Sequence, residues 1–529
     1  MASITRRSLV KGAGLAAGAA AVASVAAPLS AVAAEDPSYA GTVDVPSFLI
    51  APDPITDVAE VKEYDVVVVG AGAAGVPAAL AATEAGAKVA CLQKESVAIS
   101  QGNNGCGVQV DKSDKVAIEG MISYEMEENA HRPDRRQLST WAYKSGEAMA
   151  WLLDRAEKAG AQYSQTEPTM EFSGGTVTLI KNSFGPKPYT TGDAMQALAA
   201  YAETLGAEFF YETPAVQLVK DGDRVSGVIA QNAEGAYIQF NAARGVIIAT
   251  GDYQNDYDMC SYYIPDLDNF ERKQVGKTGD GHKMVVWAGG KIEDGNHTKM
   301  LHDFDAGPAS MSDMPFLAVK DDGTRFCDET VPMSLLNNYL RGPKDCGWYS
   351  QIFDNDYLTA TEGWPGKAVD EETMRNYMPE EEVEGGKKGV LEYYTRTFKA
   401  DTLEELAEKL LITDVDAFVA TVERYNELCE AGLDEDFGKD AQYLAPVVNP
   451  PFWGIHRHVR ISAITAGVEV NPDQQCLTPE GEVIEGLYAV GNCAGNFYGG
   501  VDYPLAIGGL SLGRCYTQGY LVGTAVAGK

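Results

Sequence analysis

The chain has 529 residues, with 42 basic against 76 acidic side chains, a formal charge of −34 and a 45% hydrophobic share. So acidic a surface repels phosphate backbones, which excludes nucleic acid as a partner; acid spread through apolar, periodic sequence excludes a disordered tail. Nine scattered cysteines, with no CxxC or CxxCH spacing, exclude a disulfide scaffold and covalently attached haem, and the length suits one large domain or two to three ordinary ones.

Arg6, Arg7 and Lys11 precede an Ala/Gly-rich apolar run that ends in AVA at Ala31–Ala33. A charged start, an apolar middle and a small-residue end make residues 1–34 a signal segment. The paired arginines match twin-arginine signals, whose export machinery carries folded proteins. Cleavage near Ala34 and retention as an anchor are both compatible with this run. The expected location is periplasmic or on the outer face of the cytoplasmic membrane, with any cofactor inserted before export. Without the segment the balance is 39 basic to 76 acidic residues, about −37. Residues 35–59 are polar and proline-bearing, and read as a linker.

Tyr64–Gly70 (YDVVVVG) is a continuous apolar run, as expected of a buried parallel strand. It enters GAGAAG, where Gly70, Gly72 and Gly75 form GxGxxG, followed by a helical stretch and a second strand at Lys88–Lys94. The first glycine allows the tight turn, the second lets the backbone approach a pyrophosphate, and the third lets helix and strand pack closely. The helix N-terminus then offers its free N–H groups to the phosphates. Where a ribose-binding acid is expected stands Gln93, which still donates and accepts hydrogen bonds, followed by Lys94. This pattern alone fits FAD and a nicotinamide dinucleotide equally.

Further along come SQGNNGCG at Ser100–Gly107, ATGD at Ala249–Asp252, TGDG at Thr278–Gly281 and GLYAVGN at Gly486–Asn492. In this order the set resembles the FAD-dependent fumarate reductase, urocanate reductase and 3-ketosteroid dehydrogenase superfamily, over nearly the whole chain from Tyr64. The resemblance implies an α/β fold: a Rossmann-like FAD-binding domain of glutathione-reductase type, from residues 60–299 and 456–529, with an inserted α+β capping domain at 300–455. It implies FAD contacts at Gly70, Ala71, Gly72, Ala74, Gly75, Gln93, Lys94, Ser100, Gly102 and Asn103. Val216 is expected near the adenine, Thr250 and Gly251 near the pyrophosphate, and Asp280 and Asn492 along the cofactor. Gly508, Gly509, Ser511 and Leu512 are expected at a helix start facing the isoalloxazine, where the positive helix end suits reduced flavin. Within the cap, Val415–Gly432 has helical apolar spacing, and Pro379–Gly389 reads as a solvated loop.

Catalytic positions depart from the reductase pattern. The proton-delivering arginine of fumarate reductases lies eight residues after the arginine matched by Arg325, and Met333 stands there; methionine has no proton to transfer. The steroid-dehydrogenase tyrosine at that position is missing too, although Pro332 before it matches. SAITAG at Ser462–Gly467 lacks the family histidine, and YGGVDY at Tyr498–Tyr503 replaces HGxNR. Arg325 is expected to pair with Glu329. Tyr503, followed by Pro504, resembles the tyrosine of steroid dehydrogenases that polarises an enone, with Asp502 and Tyr498 on the same loop. His302 is a candidate substrate contact, with His297 nearby; His456 and His458 share one strand face, with Arg457 on the other. No metal is expected.

The resulting expectation is an exported FAD-dependent reductase that saturates the C=C bond of a small unsaturated carbonyl substrate. Its electrons come from an external donor such as a membrane quinol-linked cytochrome. Two alternatives remain at this point: a 3-oxosteroid-type dehydrogenase running the other way, and a non-catalytic flavin-binding accessory protein.

Overall fold

Val66–Val69 are all buried, because the strand Glu60–Val69 lies inside a sheet covered on both faces. The computed structural model describes residues 45–186, 189–267, 269–295, 297–379, 396–499 and 507–528. The chain divides after Ile50. Before that point the described residues form one short turn, Ser47–Leu49; everything below concerns Ala51 onward.

The main sheet has eight strands. Its path runs Gln475–Leu477, Val483–Ala489, Tyr237–Ile248, Glu60–Val69, Val89–Leu92 and Glu208–Phe210, with parallel pairing from Val483–Ala489 to Glu208–Phe210. Arg224–Gln231 pairs antiparallel with the first half of Tyr237–Ile248, and Ala215–Asp221 pairs with it in turn. The helix Gly75–Glu84 follows the first strand, as its glycine fingerprint requires. Against it packs the last helix, Leu510–Ala527. That approach depends on Gly519 and Gly523, where a Cβ would overlap the carbonyls of Ala74 and Ala78.

A second, four-stranded antiparallel sheet is built from Leu317–Val319, Trp348–Phe353, Phe452–His458 and Thr397–Ala400. The boundary expected between residues 455 and 456 falls inside Phe452–His458, whose pairing with Trp348–Phe353 runs on to His458. The helix at Val415–Ala431 forms as its periodicity demands, burying Phe418, Val422, Tyr425 and Leu428. Asp414 caps its first turn and Gly432 ends it in the left-handed conformation. Most of the Pro379–Gly389 stretch lies outside the described residues. The architecture is the α/β Rossmann-like FAD-binding fold with an inserted α+β cap. Among the described residues no helix is long and apolar enough to cross a membrane.

The cap is held by a buried charge cluster. Arg325 grips Glu329 through two bonds of 2.8 Å and Asp434 through a third of 2.8 Å. Lys439 lies 3.2 Å from Glu329 and donates to the Pro315 carbonyl and the Tyr425 hydroxyl. Burial raises the Asp434 carboxyl, but bonds from Arg325 and from the N–H groups of Lys439 and Phe437 outweigh it and bring it down to about 2. A depressed carboxylate adds stability above its unfolded value near 4, and that stability is lost as pH falls toward 2. An Asp434→Asn protein should therefore lose much of the wild type's advantage at neutral pH and match it near pH 2, as measured by denaturant midpoints across that range.

Candidate active site

The glycine fingerprint opens a cleft lined by Gly70, Ala71, Gly72, Gln93, Lys94, Glu95, Ile99, Pro214, Ala215, Thr250, Lys277 and Asp280, among others. Gly70 has φ +106°, and a Cβ on it would come within 2.5 Å of the Ala249 carbonyl oxygen. A Cβ on Gly75 would overlap the carbonyl of Gly70 itself. Strand, turn and helix thus interlock at atomic contact, and the cradle they form is one that side chains would fill. Such a cradle suits a pyrophosphate bound to backbone N–H groups.

Several of the expected cofactor residues meet here. Gly70, Ala71, Gly72, Gln93, Lys94, Thr250 and Asp280 line the cleft, and Ala74 caps the helix that Gly75 begins. Val216 follows Pro214 and Ala215 at the cleft wall. Lys94 is bound at 2.8 Å to both Asp280 and Thr278, so its ammonium is spent on holding the cleft's two sides together. Gly251 lies under the Lys277 side chain. Lys277 was not singled out in the sequence, although it stands directly before TGDG.

Ser100, Gly102 and Asn103 lead into the strand Asn104–Val108, which runs beside the start of the last helix. The Cys106 N–H donates to the Gly509 carbonyl at 3.1 Å, and Gly102 faces the Leu512 side chain. Gly509 begins the helix Leu510–Ala527 with no side-chain cap and no acid in its first turn. Its first-turn Leu510 N–H is bonded to the Ile507 carbonyl, and the left-handed Gly509 sets the helix against the strand Asn104–Val108. Asn492 accepts from Arg514 at 3.2 Å.

Tyr503 and Asp502 lie outside the described residues. Tyr498 is packed in the core against Phe497 and lies 5.1 Å beneath the Arg514 guanidinium. It lines a different cavity, with Arg132, Glu293, Thr298 and Asn496. His302 pairs with Arg460 across two short strands and stacks on Phe304 at 4.2 Å. Burial and the nearby Lys273 and Arg460 push its imidazole down to about 3, so it is neutral at physiological pH. Met333 lines a narrow cleft in the cap with Phe316, Val331, Leu336 and Tyr349 and with Ser312, Asp313, Glu329 and Gln351.

His456 and His458 do share a face, both stacked on Trp348, while Arg457 on the opposite face binds Gln351 and the Asp303 carbonyl. Burial holds His282, His297, His456 and His458 down to about 4. The unfolded chain protonates these imidazoles near 6.5 while the folded chain stays neutral to about 4, so acid favours unfolding in that window. Glu125 and Glu293, raised by burial to about 8 and about 7, act in the opposite sense above pH 4.5. Thermal midpoints are expected to fall steadily from pH 6.5 to pH 4; a flat profile would contradict neutral buried imidazoles.

The FAD binding domain family (FAD_binding_2) matches residues 65–508. The chain belongs to this family. It is 27% identical over 476 residues to the vinyl phenol reductase of Lactiplantibacillus plantarum, covering 83% of this chain and 92% of that one. It is 25% identical to the digoxin reductase of Eggerthella lenta, covering 92% of each, and 26% identical to that organism's urocanate reductase, covering 83% and 71%. Among solved structures, an open flavocytochrome c3 fumarate reductase superimposes with a TM-score of 0.67 at 22% identity, covering 89% of this chain and 79% of that one. The family and the cleft agree on the cofactor. This is an FAD-binding flavoprotein and an oxidoreductase of the CH–CH class.

Proposed function

We propose that this flavoprotein reduces the activated C=C bond of a small, uncharged unsaturated molecule such as a vinyl-substituted phenol or an enone. The observation that carries the reading is Met333. It is 4% exposed, in a cleft whose walls are Phe316, Val331, Leu336 and Tyr349 together with Ser312, Asp313, Glu329 and Gln351: acids and neutral groups, with no cation among them for a dicarboxylate acceptor. Such walls disfavour an anionic acceptor, whose charge would meet carboxylates and no cation, more than an uncharged one. The near full-length relative named for vinyl phenol supports the same class.

FAD, when bound, supplies the two-electron reduction. The chain's own residues do the rest. The interlocked turn at Gly70–Gly75 and the Lys94–Asp280 pair fix the cofactor's phosphate half. By the family resemblance the start of Leu510–Ala527, which has no acid in its first turn, would lie at the flavin ring, where the positive helix end favours negative charge. Neutral His302 donates or accepts a hydrogen bond without adding charge. In this reading Tyr503 polarises the acceptor. The donor is an external carrier, such as a quinol-linked cytochrome on the outer face of the membrane, reached after twin-arginine export of the folded holoprotein.

Turnover of purified holoprotein with reduced viologen tests the substrate class. Vinyl phenols or enones are expected to be reduced at least tenfold more efficiently than fumarate; a preference for fumarate would overturn the reading. Tyr503→Phe should lower kcat about a hundredfold with FAD content unchanged, the range for loss of a polarising donor.

A further inference from the structure

The cleft has to hold a pyrophosphate dianion inside a protein of formal charge −34. Backbone N–H groups at a helix start meet part of that demand. Among the described residues that line the cleft, the ammonium groups are those of Lys94 and Lys277, and the carboxylates are those of Glu95 and Asp280. Lys94 is neutralised by Asp280 at 2.8 Å. Lys277 has no hydrogen bond or ion pair through its ammonium to any described residue.

The position of Lys277 is specific. Its Nζ would lie 2.8 Å from a Cβ placed on Gly251. The preceding residue, Thr250, has its Cα 3.2 Å from the point a Cβ on Gly70 would occupy. The Lys277 ammonium, the Thr250–Gly251 turn and the first glycine of the fingerprint therefore converge on one place. The nearby acid, Asp252, is buried, which raises its carboxyl, and is bonded to the N–H groups of Gln254 and Ile464; the Lys277 charge lowers that carboxyl from a distance, without an ion pair between them.

We propose that Lys277 is the cation that holds the FAD pyrophosphate, a role the fingerprint glycines cannot fill because they bring dipoles and no net charge. The contact is between a flexible, solvent-reachable ammonium and a phosphate, so salt should screen it. It concerns cofactor retention and is independent of which acceptor the flavin reduces.

FAD release from holoprotein, followed by the fluorescence of the freed cofactor, tests this at low and high salt. Release from the wild type should quicken as salt rises. Lys277→Met should release FAD about tenfold faster than wild type at low salt and nearly as fast as wild type at high salt, and Lys277→Arg should restore slow release. Salt-independent release from the wild type would overturn the proposal even if Lys277→Met cannot be purified with FAD. Equal release from wild type and Lys277→Met would overturn it too, as would an arginine variant that behaves like methionine, since that pattern marks a packing role.

Discussion

Replacing Gly75 with alanine should yield a protein without flavin. The added Cβ would overlap the Gly70 carbonyl, and Gly70 cannot retreat, because its own Cβ position is 2.5 Å from the Ala249 carbonyl oxygen. Helix and strand must separate by more than the slack of a packed interior, and the N–H groups aimed at the pyrophosphate move with the helix. Gly86→Ala is the matched control. Gly86 has φ +86° but nothing within 4 Å of an added Cβ, so it carries backbone strain of about 1 kcal/mol and no clash. Flavin absorbance per mole of purified protein should be near zero for Gly75→Ala and near wild type for Gly86→Ala. Full flavin content in Gly75→Ala would mean the interlock does not position the cofactor.

Removing Arg325 should destabilise the cap by about 3–5 kcal/mol, the range for breaking a buried ion pair from one side. Glu329 and Asp434 have side chains only 3% and 0% exposed, so without the guanidinium Lys439 alone would face both. Arg325→Met keeps volume and also loses the stacking of the guanidinium over Tyr425 and Phe437, at 5.1 and 4.9 Å. Limited proteolysis should cut the variant first within residues 317–458, with FAD still bound. A variant as resistant as wild type would show that the cluster is replaceable.

Much of the cleft's lining was legible because it is written in local spacing. GxGxxG between a β-branched run and an alanine-rich helix admits one local structure, and residues 70–75 adopt it. Arg325 and Glu329 were legible for the same reason, four residues apart. Asp434 and Lys439 were not, because more than 100 residues separate them from Arg325 and only the folded cap unites them. Lys277 escaped notice because a lone lysine before a motif carries no pattern. The tie between Lys94 and Asp280 is likewise tertiary. The setting of Tyr498 is tertiary as well: its ring packs between Phe497 and Arg514, which the sequence around it does not announce. His302 was found by resemblance, but its neutrality follows from burial, which only the fold reveals.

The direction of electron flow is the centre of the functional reading, and one air-free half-reaction tests it. Holoprotein reduced to the hydroquinone level is mixed with a vinyl phenol or an enone, and the return of oxidised flavin is followed with product analysis. Rapid reoxidation, with one C=C bond saturated per flavin, is the predicted result. Failure of every unsaturated acceptor, together with bleaching of oxidised flavin by a saturated ketone, would contradict it and mark the protein as a dehydrogenase.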